Sequence, residues 1–520
     1  MRWFLNRINK ERIWKIKQKG INNECKSYNK IGLSRSGRNP RRRHLLYGIH
    51  NHAFMPGCEI LQSFDLVHWE HVTYVYETLD HTDAQQLKSG QNIYGQGMWA
   101  ASLRYHEGRF YICFVANDTR KTYLYTSEKI DGPWKKQLIE GFYHDGSLLF
   151  DEDGRNYIVY GNDEIWITEL NEDLTAPKKD GLHRLLVSDH KNPELGYEGS
   201  HIQKINGYYY IFLVHSLRDR WMRTEACFYS DSLEGEFTGG DVLCDDRGYC
   251  GQGVAQGGIV DTPDGKWYAM LFQDSGAVGR IPILLPVTWK DHFPVFGQNG
   301  HVPEEIEVHS TRPGYIYQPL VGSDDFCNGL LPRWQFNHDP DPRYYHLDAL
   351  QGTYTITTRE VCTELTQAVN TLTQRMSYPS CAAEVTVDAS ALKEGDVAGL
   401  CALQGCYAAV GITKHHGKYE VLMLDKKEDG ILDMTEGTVV ESHQMDFRLE
   451  ADFCNMKDEA RCYYRVNKGD WLPIGTVHKL YFKLDHFTGC RFGLFCYAAE
   501  ETGGSACFRD FKYYDVDEIS

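Results

Sequence analysis

Four short segments repeat one form along the chain: "HEGRFYICF" (106–114), "EDGRNYIVY" (152–160), "INGYYYIFL" (205–213) and "PDGKWYAML" (263–271). Each is a polar turn containing glycine, followed by an aromatic-rich strand. Gly108, Gly154, Gly207 and Gly265 are spaced by 46, 53 and 58 residues. Glycine enters left-handed backbone without a Cβ penalty, so it closes tight hairpins. Short strands joined by such turns at this period are the signature of a β-propeller blade. Helical periodicity is absent here. Four repeats are visible and a ring must close, so a fifth, incomplete blade is expected before Gly108.

Around residues 300–323 the pattern breaks. "RPGYIYQPLVGSDDF" reads as a linker into a second domain. Beyond it the chain is again strand-rich, with period-two alternation in "CAAEVTVDAS" and "KLYFKLDHF" but no glycine repeat. A two-sheet β-sandwich is the natural reading. The expected architecture is therefore all-β. Its parts are an aberrant segment 1–53, a propeller over 54–310, a linker 311–323 and a sandwich over 324–520.

Charge divides the chain differently. The formal net charge is −17, yet residues 1–53 hold 14 Lys and Arg against 2 Asp and Glu. The remainder holds 41 basic and 70 acidic residues. A basic arm is a nucleic-acid signal, but the acidic body argues against a nucleic-acid enzyme and suits a neutral or cationic substrate. Abundant Tyr and Trp (33 and 11) suit β-rich folds and carbohydrate-stacking surfaces. No apolar run reaches the ~18–20 residues of a membrane span, and the first 20 residues show no secretory h-region. The 16 cysteines are scattered, without a CxxC pair, and often sit inside apolar runs, as Cys113 and Cys496 do. Buried reduced thiols and a cytoplasmic location are expected.

In order and spacing, several motifs resemble glycoside hydrolase family 43, the five-bladed propeller glycosidases. The propeller motifs include "FMPGCEILQSFDLVHWEHV", "GQGMWAASLRYHEGRFYICF", "YHDGSLLFDEDGRNYIVYG", "YEGSHIQKINGYYYIFL" and "GRIPILLPVTW". "DDFCNGLLPRWQFNHDPD" and "LDHFTGCRFGLFCYA" are similar to the concanavalin-like, jelly-roll domain that follows the propeller in the family's β-xylosidases. The resemblance covers roughly residues 54–515. It implies an inverting exo-glycosidase acting on xylan-type pentosides, a β-xylosidase or an α-L-arabinofuranosidase. Its substrates are xylo-oligosaccharides or arabinose-decorated oligosaccharides, with no nucleic-acid or membrane partner; a homo-oligomer stays open.

Cleaving a glycosidic bond by inversion needs an acid for the leaving oxygen and a base for the attacking water, roughly 6.5–9.5 Å apart. The resemblance places the general acid on Glu198 in "YEGSHIQ" and a pKa-raising Asp on Asp145 in "YHDGSLL". Glu198 is the one acidic residue of "LGYEGSHI", beside an apolar strand, and a desolvated Glu keeps its proton near neutral pH. Substrate contacts are expected from Trp99, Arg280, His201 and Phe54. No cofactor is required. A His that helps hold a central calcium in many relatives is here Gln256. Asp325 and Asp510 resemble positions that bind a structural calcium, for which hard oxygen ligands are suited.

The family's base is an Asp on the first strand, roughly twenty residues before Phe54, where inversion requires it opposite the acid. Arg35 stands there, and no carboxylate lies between Glu24 and Glu59. Arginine cannot accept a proton at physiological pH. The codons permitted for Gly32 to Phe54, read one nucleotide later, allow "DYPDPDVIRVGDTYYMVSTTMH". That peptide holds both the family's base motif and a fifth blade repeat. Residues 1–53 are therefore read as out of frame and poorly ordered. The alternative is a catalytically impaired carbohydrate-binding propeller–sandwich.

Overall fold

The computed structural model describes residues 14–17, 45–49 and 52–515, apart from Glu436 and Phe487. Among them there is no α-helix, only strands and five single 3-10 turns. Four sheets have four strands each. We call them blades 2 to 5, and they begin at Ser102–His106, Ser147–Phe150, Glu198–Ile205 and Gly258–Asp261. Blade 1 has three described strands, Leu45–Ile49, Gly57–Ser63 and Glu70–Tyr76, so it is the incomplete one.

The repeated glycines each close the first hairpin of blades 2 to 5. Their φ angles are +86°, +83°, +89° and +79°, the left-handed region that favours glycine. A Cβ at any of the four would meet nothing within 4 Å. Backbone conformation, not crowding, is what demands glycine there.

Burial between neighbouring blades closes the ring. Ile60 and Val75 of blade 1 pack with Leu103, Ile112 and Phe114 of blade 2. Cys113 and Leu124 meet Leu148 and Ile158 of blade 3. Val159 and Ile167 meet Ile202 and Ile211 of blade 4, and Phe212 and Cys227 meet Ile259, Leu271 and Ile283 of blade 5. Val260, Met270 and Leu284 then return to Leu61 and Trp69 of blade 1. Full burial of each such side chain contributes ~1.5–3 kcal/mol. Buried Arg104 bonds three blades: its guanidinium donates to Leu148 O (2.8 Å), Ser147 Oγ (2.7 Å) and Ile202 O (3.1 Å).

The second domain is a sandwich of a nine-stranded and a seven-stranded sheet around one large apolar core. Phe54–Met55 belongs to the nine-stranded sheet, pairing with Gln335–Asn337. The chain thus touches the sandwich edge between the first two described strands of blade 1. The expected linker packs on blade 1, where the Tyr317 hydroxyl accepts from Phe64 N–H at 2.8 Å and Tyr315 bonds Glu70. Blade 5 in turn sends Gly276–Val278 into the sandwich core. Ala277 N–H donates to Asp458 Oδ1 at 3.0 Å and its carbonyl accepts from Cys490 N–H at 2.8 Å.

Most of the expected aberrant segment lies outside the described residues. Within it, Leu45–Ile49 pairs with Gly57–Ser63, and Trp14–Lys17 pairs with Glu305–Val308.

Gly207→Ala is expected to cost about 1–2 kcal/mol, because the left-handed angle stays while the Cβ penalty is added. Gly240→Ala, in an open strand position without positive φ, is expected to change stability by less than ~0.5 kcal/mol. Denaturant midpoints of the two variants check the contrast.

Candidate active site

A cavity of about 290 Å³ opens where blades 2 to 5 converge under the sandwich. Its propeller wall is Trp99, Ala100, Asp145, Glu198, Arg223, Gln256 and Arg280. Phe482, Lys483 and Leu484 of the sandwich close one side. This volume is at the small end of ligand pockets.

Asp145 sits just before the first strand of blade 3, with a left-handed φ of +53° that turns it toward the axis. It is buried. Glu198 opens the first strand of blade 4, where a register shift between Glu198 and His201 interrupts the ladder. Gly199 follows at φ +70°, and a Cβ on it would lie 2.1 Å from the Gln256 amide. Only glycine lets Gln256 approach this closely. The Gln256 amide donates to Asp145 Oδ2 at 3.4 Å, and Asn162 donates to Glu198 Oε2 at 3.0 Å. Ser200 Oγ donates to the Asp145 carbonyl at 2.8 Å, tying the two strands together.

The donor atoms of His144, Asp145 and Glu198 lie within 4.8 Å of one another. Burial, and then the Asp145 carboxylate, raise Glu198 above the ordinary carboxylate range. Arg223, His144 and Arg280 pull in the other direction. A Glu in this setting holds a proton that it can give to a leaving oxygen.

Behind the carboxylates, one buried Asp holds two guanidiniums. Arg280 Nε lies 3.1 Å from Asp274 Oδ1, and Arg223 Nε lies 3.1 Å from Asp274 Oδ2. Both guanidiniums lie over the Phe272 ring, at 4.3 and 5.5 Å. Burial, then Arg223, lowers Arg280 to about 10, so it remains charged at neutral pH.

Glu198, Asp145, Trp99 and Arg280 are thus brought to one cavity, as the sequence suggested. Trp99 stacks on His52, with ring centroids 5.6 Å apart and planes 14° apart. Burial, then Arg280, holds the His52 imidazole down at about 3, so it is neutral. Two expected contacts lie elsewhere. Phe54 is drawn into the sandwich by its pairing with Asn337, and its ring lies under the Arg491 guanidinium at 3.8 Å. His201 is buried against Gly258 between blades 4 and 5. Neither lines the cavity.

Asp325 and Asp510 flank the bridge between Asp324 and Phe511. Asp325 Oδ1 already accepts from Cys327 N–H at 3.0 Å, and Asp510 borders a separate charged cleft of about 220 Å³. Among the described residues no third His, Cys or carboxylate joins them in a metal-sized cluster. Calcium takes six to eight oxygens, which include backbone carbonyls and waters as well as carboxylates.

Arg223, Asn162 and Asp274 carried no signal in the sequence, and residues 482–484, read there as part of an alternating strand, lie in the loop and 3-10 turn that follow the strand ending at Lys479. His144 did carry a signal, through its place next to Asp145.

Asp145→Asn removes the like charge beside Glu198 without removing its bulk. The Glu198 titration midpoint is then expected to fall, so its proton is lost at lower pH. Carboxyl 13C NMR reads this directly, and an unchanged or raised midpoint contradicts the assignment of Asp145.

Comparison with known proteins agrees with this geometry. The glycosyl hydrolases family 43 profile matches residues 41–294. The β-xylosidase C-terminal concanavalin A-like domain profile matches residues 323–514. A β-xylosidase of Formosa agariphila is 25% identical over 89% of this chain and 84% of its own. A xylosidase/arabinosidase 43B of Humicola insolens is also 25% identical, over 88% and 91%. The solved structure of a bifunctional GH43-CE protein of Bacteroides eggerthii superposes with a TM-score of 0.88 at 38% identity. That match covers 96% of this chain, which spans 63% of the longer protein. With both profiles in chain order and the two carboxylates at the propeller axis, the chain belongs to glycoside hydrolase family 43.

Proposed function

We propose that this protein is an inverting, exo-acting pentosidase on xylan-derived oligosaccharides, with β-xyloside as its first substrate and α-L-arabinofuranoside as its second. The observation that carries this is the Asp145–Glu198 pair in a cavity of about 290 Å³ walled on one side by the sandwich. A short, blocked cavity suits one terminal pentose and cleavage of the bond behind it. The names of the xylosidase and arabinosidase relatives support the substrate class.

Glu198 gives its proton to the glycosidic oxygen as the bond breaks. Asp145 keeps that proton in place beforehand by making the ionised Glu198 costly. Arg280 and Arg223, fixed by Asp274, present N–H donors to sugar hydroxyls. Trp99 offers a flat apolar face to the ring.

Water activation is the step these residues do not supply. Asp145 and Glu198 are the carboxylates that line the cavity among the described residues, and Asp274 is committed to its two arginines. The family profile begins at residue 41, after the position where the base is expected. Residues 1–40 thus stand outside the family match, whereas 41–53 fall within it and Leu45–Ile49 pairs in blade 1, so the profile supports an out-of-frame reading only for the part before residue 41. The same observation favours a second reading, a carbohydrate-binding protein with impaired catalysis.

Resequencing the DNA around the Phe54 codon tests the frame directly; the coding sequence of close relatives should contain one additional nucleotide. Hydrolysis of aryl xyloside and aryl arabinofuranoside then separates the two readings. The frame-corrected protein is expected to exceed the chain as written by ~10²–10⁴-fold. Equal activity in the two proteins contradicts the account of the base. Glu198→Gln in the corrected protein should lose ~10²–10⁴-fold on alkyl pentosides, and less on aryl pentosides whose leaving groups need less protonation.

A further inference from the structure

The loop between the second and third strands of blade 4 carries Trp221, which is 44% exposed. Among the described residues it is the one aromatic in the set of exposed large apolar side chains. Its ring centroid lies 5.5 Å from the Arg223 guanidinium, and Arg223 lines the cavity. Leu484, 57% exposed, borders the same cavity from the sandwich.

The loop is built rather than loose. Leu217 N–H donates to Met222 O at 3.1 Å and closes it. Arg218 pairs with buried Asp189, and the Asn192 amide donates to Ser216 O at 2.9 Å. These bonds hold an indole face open to solvent beside a charged partner.

Blade 4 is also the blade of Glu198. The acid must stand next to the oxygen it protonates, so the leaving sugar lies on the acid's side of the site. An exposed indole on that same blade is where a leaving sugar can stack.

We propose that Trp221 forms the leaving-side subsite and stacks the β-1,4-linked xylopyranose unit next to the cleaved bond. The inference rests on the pentosidase reading above. A xylopyranose ring has no hydroxymethyl arm and only equatorial hydroxyls, so both faces present C–H groups to an aromatic ring. The same unit occupies this side for a terminal xyloside and for an arabinose-decorated xylan.

Binding tests this without needing turnover. Xylose, arabinose and xylobiose are titrated calorimetrically into the full chain carrying Glu198→Gln, so that xylobiose persists, with and without Trp221→Ala. Xylobiose is expected to bind about tenfold tighter than xylose, and Trp221→Ala to abolish that advantage. The xylose Kd should change by less than about twofold, since Trp221 lies outside the terminal-sugar cavity. Trp221→Phe should keep most of the advantage. Equal binding of xylose and xylobiose before substitution overturns the subsite, as does an equal loss for both sugars after it. Failure of all three sugars to bind before substitution overturns the pentosidase reading itself.

Discussion

The descent of Gly276–Val278 from blade 5 into the sandwich core fixes the site. Ala277 is fully buried, so both of its backbone groups need partners inside protein. The sandwich supplies them through the Asp458 carboxylate and the Cys490 N–H. Two glycines make the approach possible. A Cβ on Gly276 would lie 2.5 Å from Asp458, and one on Gly489 would lie 2.2 Å from the Val278 carbonyl. Arg280 begins the next strand two residues later. The sandwich therefore holds the start of the strand that carries a cavity arginine, and returns its own residues 482–484 to the cavity wall.

From that anchor the electrostatics follow in sequence. Arg280 engages one oxygen of Asp274 and Arg223 the other. The two cations then stand near Glu198, where they partly offset the burial and the Asp145 charge that raise it. A carboxylate pair alone would press Glu198 further toward the neutral form. Two guanidiniums alone would ionise it. The acid's proton affinity is set by the balance, and the balance depends on a domain contact remote in sequence from either carboxylate.

Much of this was legible beforehand because it is local. The glycine turns need only a left-handed residue between two strands, and the sequence shows one at each blade period. Glu198 and Asp145 sit in short motifs at strand starts. Phe54 and His201 were misplaced for a shared reason: their neighbours in sequence point toward the site, but their packing partners do not. Phe54 follows Gln335–Asn337 into the sandwich. His201 lies beyond the register shift that exposes Glu198 and packs on Gly258. Arg223 gave no signal because an arginine at a strand start is ordinary until Asp274 is seen beneath it.

The sequence by itself determined the repeated blades, the change to a sandwich after residue 323 and the positions of the two carboxylates. Each is encoded within a few residues, as a turn conformation, a period or a motif. Tertiary structure alone decided the cavity's closed side, the Asp274 clamp, the location of Phe54 and the exposed indole on the acid's own blade. The closed side and the place of Phe54 arise where segments about two hundred residues or more apart meet, and the clamp where blades 4 and 5 meet; no spacing along one chain specifies which buried charges will face each other.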